Sequence, residues 1–155
     1  MTYDIRPATD ADAVSISAML HALTVIGKRS LPSDVLWVRK NYVSHPDKIS
    51  CVIATEPGGN ITGLQILRLA RPDTPYGTPT GWAAIGTHVH PYAARQGIGK
   101  ALFSATLEAA QEAGIPAIDA KIGAQNADGL AYYGAMGFQT HPEFDDPGRK
   151  AFLLR

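Results

Sequence analysis

The sequence predicts an α/β fold around one central sheet, with hairpins in the first half of the chain and a crossover helix in the second. Three observations carry that expectation. Apolar, β-branched runs at "SCVIAT", "ITGLQILRLA" and "WAAIGTHVH" read as strands. Stretches with helical apolar spacing lie before the first of these runs and after the last. Turn-forming clusters of Pro and Gly separate the elements, and no repeat, low-complexity tract or linker interrupts them. At 155 residues the chain matches the usual size of one domain, so residues 1–155 are read as a single unit.

In order along the chain, "YDIRPAT" reads as an edge strand over Tyr3 to Arg6, ended by Pro7, after which Thr9 or Asp10 can cap a helix. Ala13, Ile16, Leu20 and Leu23 then share one helical face. A second helix is expected from near Ser33, carrying Val35, Val38 and Tyr42 and stopping at His45-Pro46. The next two strands are joined by "EPGGN", a hairpin turn. The loop "RPDTPYGTPTG" leads into a fourth strand, "WAAIGTHVH", which passes into a helix from about Gly97 to Ala113 closed by Gly114 and Pro116. "AIDAKI" is a fifth strand. A short helix from about Asn126 to Met136 ends at Gly137, a left-handed cap with Phe138 placed for the accompanying apolar contact, and "KAFLLR" closes the chain as a strand.

Charge argues against broad electrostatic partners. Lys and Arg together number 14, as do Asp and Glu, so no net field draws nucleic acid or an anionic membrane to the surface. One cysteine, Cys51, cannot form an internal disulfide and lies in a run that reads as a buried strand. No apolar stretch reaches membrane-spanning length, and "MTYDIRPATD" lacks a signal core, so a soluble cytoplasmic protein is expected.

The fourth strand passes into the following helix through "ARQGIGKAL". A helix N-terminus presents unpaired N–H groups and about half a positive charge, which together attract anions. Arg95, Gln96, Gly97, Ile98, Gly99 and Lys100 occupy that position. Glycines there allow a phosphate to approach the main chain closely, or simply allow a tight turn that packs; both readings stand. The dinucleotide fingerprint needs a further glycine where Leu102 stands, and the P-loop fails at Ala94 and Ala101.

"VHPYAARQGIGKAL" resembles the coenzyme A pyrophosphate loop of the GNAT superfamily of acyl-CoA N-acyltransferases, and "NADGLAYYGAMGF" resembles its second motif. The two motifs stand in the family's order on the expected elements. The resemblance implies a GNAT-like twisted mixed sheet of about six or seven strands with about four helices, splayed between strands four and five. It further implies acetyl-CoA as cosubstrate, without a metal, a primary amine of a small molecule or peptide as acceptor, and a homodimer by analogy. The family's first Gln or Arg falls on Ala94 here, and an arginine follows one position later at Arg95.

The family pattern also suggests roles. The main-chain N–H near Val89 would meet the thioester carbonyl, Tyr133 would be the general acid toward the coenzyme sulfur, and Asn126 would bond the pantetheine arm or the bound acyl group. Capping the last helix would equally explain Asn126, and a satisfied core tyrosine would explain Tyr133. Tyr132 points about a quarter-turn away, and the spacing to Gly137-Phe138 selects Tyr133. Where relatives carry a Glu on the fourth strand this chain has Ala84, so His88 is the nearest candidate base, with Asp119 a weaker one against its reading as an exposed strand carboxylate. His90 shares a strand face with His88, but no convincingly spaced third ligand makes a metal site. Around the acceptor, Trp37 and Tyr76 are candidate walls. Lys28 and Arg29 would greet a carboxylate or belong to solvated surface. A non-catalytic acyl-CoA-binding module is the competing reading.

Overall fold

The computed structural model describes residues 3–74, 77–93 and 96–154. Ala94, Arg95 and Tyr76, named above, lie outside them. Six strands form one sheet in sequence order: β1 (Asp4–Pro7), β2 (Lys48–Thr55), β3 (Ile61–Leu69), β4 (Ala83–Val89), β5 (Ala117–Lys121) and β6 (Arg149–Leu153). Neighbours are antiparallel except β4 and β5, which are parallel. The helices are α1 (Ala13–Val25), α2 (Val35–Val38), α3 (Ile98–Glu112) and α4 (Ala127–Met136).

The elements follow the expected order, with local differences that have physical causes. β1 includes Pro7, paired with Val52, which an edge strand tolerates because one side of it needs no ladder donor. A short 3₁₀ turn over Asp10–Asp12 precedes α1. Asp12 accepts from Thr9 N at 2.7 Å and from the Arg6 fork at 2.8 and 2.9 Å, and those bonds hold its carboxyl down at about 2. The second helix starts when Asp34 accepts from Trp37 N at 3.1 Å, then continues as a π-helical turn over Arg39–Val43. There the Asn41 side-chain amide donates to Trp37 O at 2.9 Å, taking up a carbonyl that an α-turn would use. Gly137 caps α4 with φ +106°, and the Tyr133 and Phe138 rings meet at 5.1 Å, as the sequence predicts.

The two-residue strand period sorts the core onto two faces. Leu64 and Ile66 of β3 and Ile53 of β2 pack with Ile16 and Leu20 of α1 and Val38 of α2. The opposite face carries Leu67, Ile85 and Ile118 with Phe103 of α3 and Tyr133 of α4, while Ile98 and Leu102 of α3 cover Val52 and Ala54. α3 lies so close to β3 that a β-carbon on Gly63 would sit 2.8 Å from Ile98 Cγ2. Leu102 is fully buried in that contact.

β4 and β5 pair at only two positions, Ala83 with Ile118 and Ala84 with Asp119. Beyond Ala84 the strands part while β4 continues its ladder with β3 to Val89. At the root of the opening, Asp119 is 2% exposed, accepts from Arg149 Nε at 3.0 Å and Nη2 at 2.6 Å, and takes a third bond from Thr78 Oγ1 at 2.6 Å. The reading of Asp119 as an exposed carboxylate is thereby corrected. With its oxygens committed to a buried ion pair, it braces β5, β6 and the loop before β4.

Candidate active site in the opened sheet

The opening exposes main chain that a regular sheet would consume. The β3–β4 ladder is bracketed by His90 N donating to Thr62 O and Ala70 N donating to Trp82 O, both at 2.8 Å. Antiparallel alternation therefore turns the main-chain groups of even-numbered β4 residues toward β3 and those of Thr87 and Val89 toward the side where β5 has diverged. A cleft of about 1440 Å³ follows this opening. Thr87 to Val89 form one wall, the start of α3 a second, and residues from Gly123 into α4 a third; Lys28 stands at the rim.

At the α3 terminus Gly97 is the N-cap, with φ +79°, a conformation an L-residue adopts at a cost near 1 kcal/mol. Gly99 serves a different end. A β-carbon there would stand 2.6 Å from Tyr132 Cε1, so its absence lets α4 lie against α3. The two glycines thus divide the labour between turn and packing; both line the cleft, and Gly97 is the exposed one, with the Tyr3 hydroxyl 3.4 Å from where its β-carbon would stand. Lys100 is exposed, Ile98 is buried at 2% exposure, and Gln96 donates to Tyr92 O at 3.4 Å.

On the α3–α4 face of β4 lies a network of neutral polar groups. Tyr133 Oη and Thr87 Oγ1 are 2.8 Å apart. Gln65 Nε2 donates to Thr87 Oγ1 and to Tyr132 Oη, each at 2.9 Å, and Tyr132 donates to Gly99 O at 2.7 Å. Burial raises the Tyr133 phenol well above its ordinary value, so it holds its proton. Thr87 and Gln65 went unnamed in the sequence, although Thr87's place two residues before Val89 puts both on one strand face.

The other face of β4 carries charge. His88 Nε2 lies 3.2 Å from Tyr42 Oη and 3.4 Å from Arg29 Nη1. Arg29 also donates to Tyr42 Oη at 3.2 Å, which directs the phenol proton to His88. Desolvation, then the Arg29 and Arg68 charges, push the imidazole down to about 3. His88 is therefore neutral, with Nε2 accepting and its proton on Nδ1. The expected base is here a weak one whose lone pair is already engaged. Arg29 is only 8% exposed, and its guanidinium lies 5.1 Å from the Trp37 ring centre, so it is not the solvated surface charge of one sequence reading.

Asn126 caps α4 through Oδ1, accepting from Gly129 N at 3.0 Å, and lines the cleft. His90 folds onto Tyr92, ring centres 4.2 Å apart, away from His88's partners. Among the described residues no three of His, Cys, Asp and Glu come together as a metal site. Burial pushes the Cys51 thiol up to about 12, which makes it a poor nucleophile. Across the cleft mouth, exposed Lys28 and Asp128 pair at 3.3 Å.

The sheet whose parallel strand pair parts after two residues belongs to an acyl-CoA-dependent acetyltransferase. The model of the Acetyltransferase (GNAT) family matches residues 16–138, and the chain belongs to that family. No curated protein matches it. Among solved structures it is similar to the GNAT domain of S. lividans PAT (TM-score 0.79, 20% identity, 99% of this chain and 92% of that one). It is also similar to a GNAT superfamily phosphinothricin acetyltransferase from Sinorhizobium meliloti in complex with AcCoA (TM-score 0.76, 22% identity, 99% and 89%). A third is the ribosomal-protein-alanine N-acetyltransferase from Brucella melitensis (TM-score 0.76, 20% identity, 97% and 99%). At these identities the likeness is one of fold, including the splayed sheet. No helix among the described residues is long and apolar enough to cross a membrane.

Proposed function

We propose that the protein transfers an acetyl group from acetyl-CoA to a primary amine of a small molecule or peptide, by direct attack within a ternary complex. The observation that carries this reading is the parting of β4 from β5 beyond Ala84, which turns the Thr87 and Val89 main-chain groups onto a cleft long enough for an extended ligand. Those groups offer a pantetheine arm the pairing that β5 has ceased to supply. The amide-rich start of α3 at Gly97 suits the pyrophosphate, with Lys100 adding charge. Asn126 keeps its Nδ2 for the arm, since its capping bond uses only Oδ1. The solved relative from Sinorhizobium meliloti, which binds AcCoA, supports the same choice of donor.

When bound, acetyl-CoA supplies a thioester carbonyl open to amine attack and a thiolate to be protonated. Val89 N–H is the donor for the carbonyl oxygen, worth most where water is excluded. Tyr133 gives its proton to the departing sulfur. Thr87 assists in the orientation where its own proton goes to Tyr133 Oη, since the phenol proton is then turned toward the cleft while Thr87 Oγ1 accepts from Gln65. His88 acts as a neutral group positioning the acceptor, and the amine loses its proton to water.

The test is release of free thiol from acetyl-CoA in the presence of an amine panel, with acetyl-CoA binding followed by calorimetry. Binding with amine-dependent thiol release is expected. Binding without release across the panel would favour the non-catalytic module, and no binding by a folded sample would remove the donor altogether.

A further inference from the structure

Arg29, in the loop after α1, is a buried cation whose described partners are all neutral. Its Nη2 donates to Pro32 O at 2.8 Å and its Nη1 to Tyr42 Oη at 3.2 Å, while Nε is buried with no hydrogen-bond partner among the described residues. None of the ion pairs among those residues includes it. Arg68 repeats the pattern on the other side of Tyr42. Its guanidinium lies 5.4 Å from the ring centre, it donates to Asn41 O, and its Nε is likewise buried and unpartnered. Two guanidiniums thus flank one phenol, with no carboxylate bonded to either among the described residues. Withdrawing such charges from water is costly unless an anion compensates them.

The cluster reaches the cleft through His88, which lines it directly beside Thr87 and Val89. Because His88 Nε2 accepts from the Tyr42 and Arg29 side, its Nδ1 carries the proton, so the imidazole too presents a donor. Lys28, paired with Asp128, stands at the rim of the same cleft. At this wall, apart from the Asp128 carboxylate paired with Lys28 at the mouth, a polyamine would face guanidinium charge and donors, whereas a carboxylate would find its complement. The apolar ring of Trp37, over which Arg29 stacks, holds the fork in place.

We infer that the His88–Tyr42–Arg29 cluster is an anion subsite and that the acceptor is an amine carrying a carboxylate, an amino acid rather than a simple amine, a polyamine or an amidated peptide. The inference rests on the acetyl-transfer reading for the fate of the amine, but the subsite itself can be tested separately. In a complex with its carboxylate at this wall, the amino group stands near the end of β4, where the Val89 N–H faces the opening.

The test is calorimetric titration of the protein, with and without coenzyme A, using the standard L-amino acids, their carboxamides, the corresponding decarboxylated amines and a C-terminally amidated peptide. At least one amino acid is expected to bind roughly ten- to a hundredfold more tightly than its own carboxamide, the range for one charge-assisted hydrogen bond. Arg29→Gln should erase that ratio and Arg29→Lys retain part of it, with acetyl-CoA affinity unchanged in both. Should Arg29→Gln fail to fold, Tyr42→Phe, which removes only the bridging hydroxyl, should lower the ratio. If no amino acid outbinds its carboxamide in the wild type, or if the ratio survives both Arg29→Gln and Tyr42→Phe, the subsite is overturned. Loss of acetyl-CoA binding with the amino-acid ratio intact would instead strike the donor reading.

Discussion

The two faces of β4 are built on opposite principles. Thr87 faces Tyr133 and Gln65 through hydrogen bonds between neutral groups, while His88, the next residue, faces Tyr42 and two guanidiniums. The first face holds a proton on a phenol by burial, and the second strips a proton from an imidazole by burial and positive charge. On the proposed reading, a single strand with a two-residue period keeps the chemistry of the leaving group apart from recognition of the acceptor. Substitutions on the two faces should have separable effects.

The largest effect is expected from Tyr133→Phe, which should lower kcat by roughly 10²- to 10⁴-fold, the span for a lost general acid, with acetyl-CoA affinity kept. Equal turnover would remove the phenol from the reaction. Val89→Pro sharpens the comparison because the N–H it deletes faces the opening and not the β3 ladder, while the ring also fixes φ and replaces a side chain packed against the Val52 and Ala54 cluster. A fall in kcat of about 10²-fold or more is expected, typical of one lost donor to a developing oxyanion, and thermal melting would check that the strand survives. Asp119→Asn tests the brace beneath both faces. Removing the Asp119 charge from its buried pairing with Arg149 should cost about 3 kcal/mol of stability, read by urea unfolding. At neutral pH the least is expected of His88→Gln, whose effect is read through pH. The imidazole's native pKa, about 3, lies below its usual value near 6.5, so its contribution to stability is complete above about pH 6.5 and is lost as pH falls toward 3. Melting curves between pH 7 and 4 should slope downward for the wild type and flatten in His88→Gln.

These expectations draw on features of unequal visibility in the sequence. The order of elements was legible because each depends on local signals: the "EPGGN" turn, the helical spacing from Ala13 to Leu23, and the Gly137 cap with Phe138 behind it. Gly97 and Tyr133 stood out because the roles proposed for them rest on short spacings. Gly99 was only half legible, since its reason is a ring on α4 that the chain reaches 33 residues later. The charged face was the least visible. Arg29, Tyr42, Arg68 and His88 come from four separate elements and loops, and nothing in the neighbourhood of Arg29 distinguishes a solvated arginine from a buried one. Asp119 was misjudged for the same reason, because its partner Arg149 lies on a different strand.

The central claim, that the opening between β4 and β5 is the acetyl-CoA site and the charged face is not, is tested most directly by calorimetric titration with acetyl-CoA. Three proteins suffice: the wild type, Gly97→Trp and Arg29→Gln. Gly97 is the better place for an obstruction, since it is exposed at the α3 terminus whereas Gly99 packs against Tyr132. The account predicts that the wild type and Arg29→Gln bind alike and that Gly97→Trp does not bind. Absence of binding by folded wild type, or binding left intact in Gly97→Trp and lost in Arg29→Gln, would contradict it.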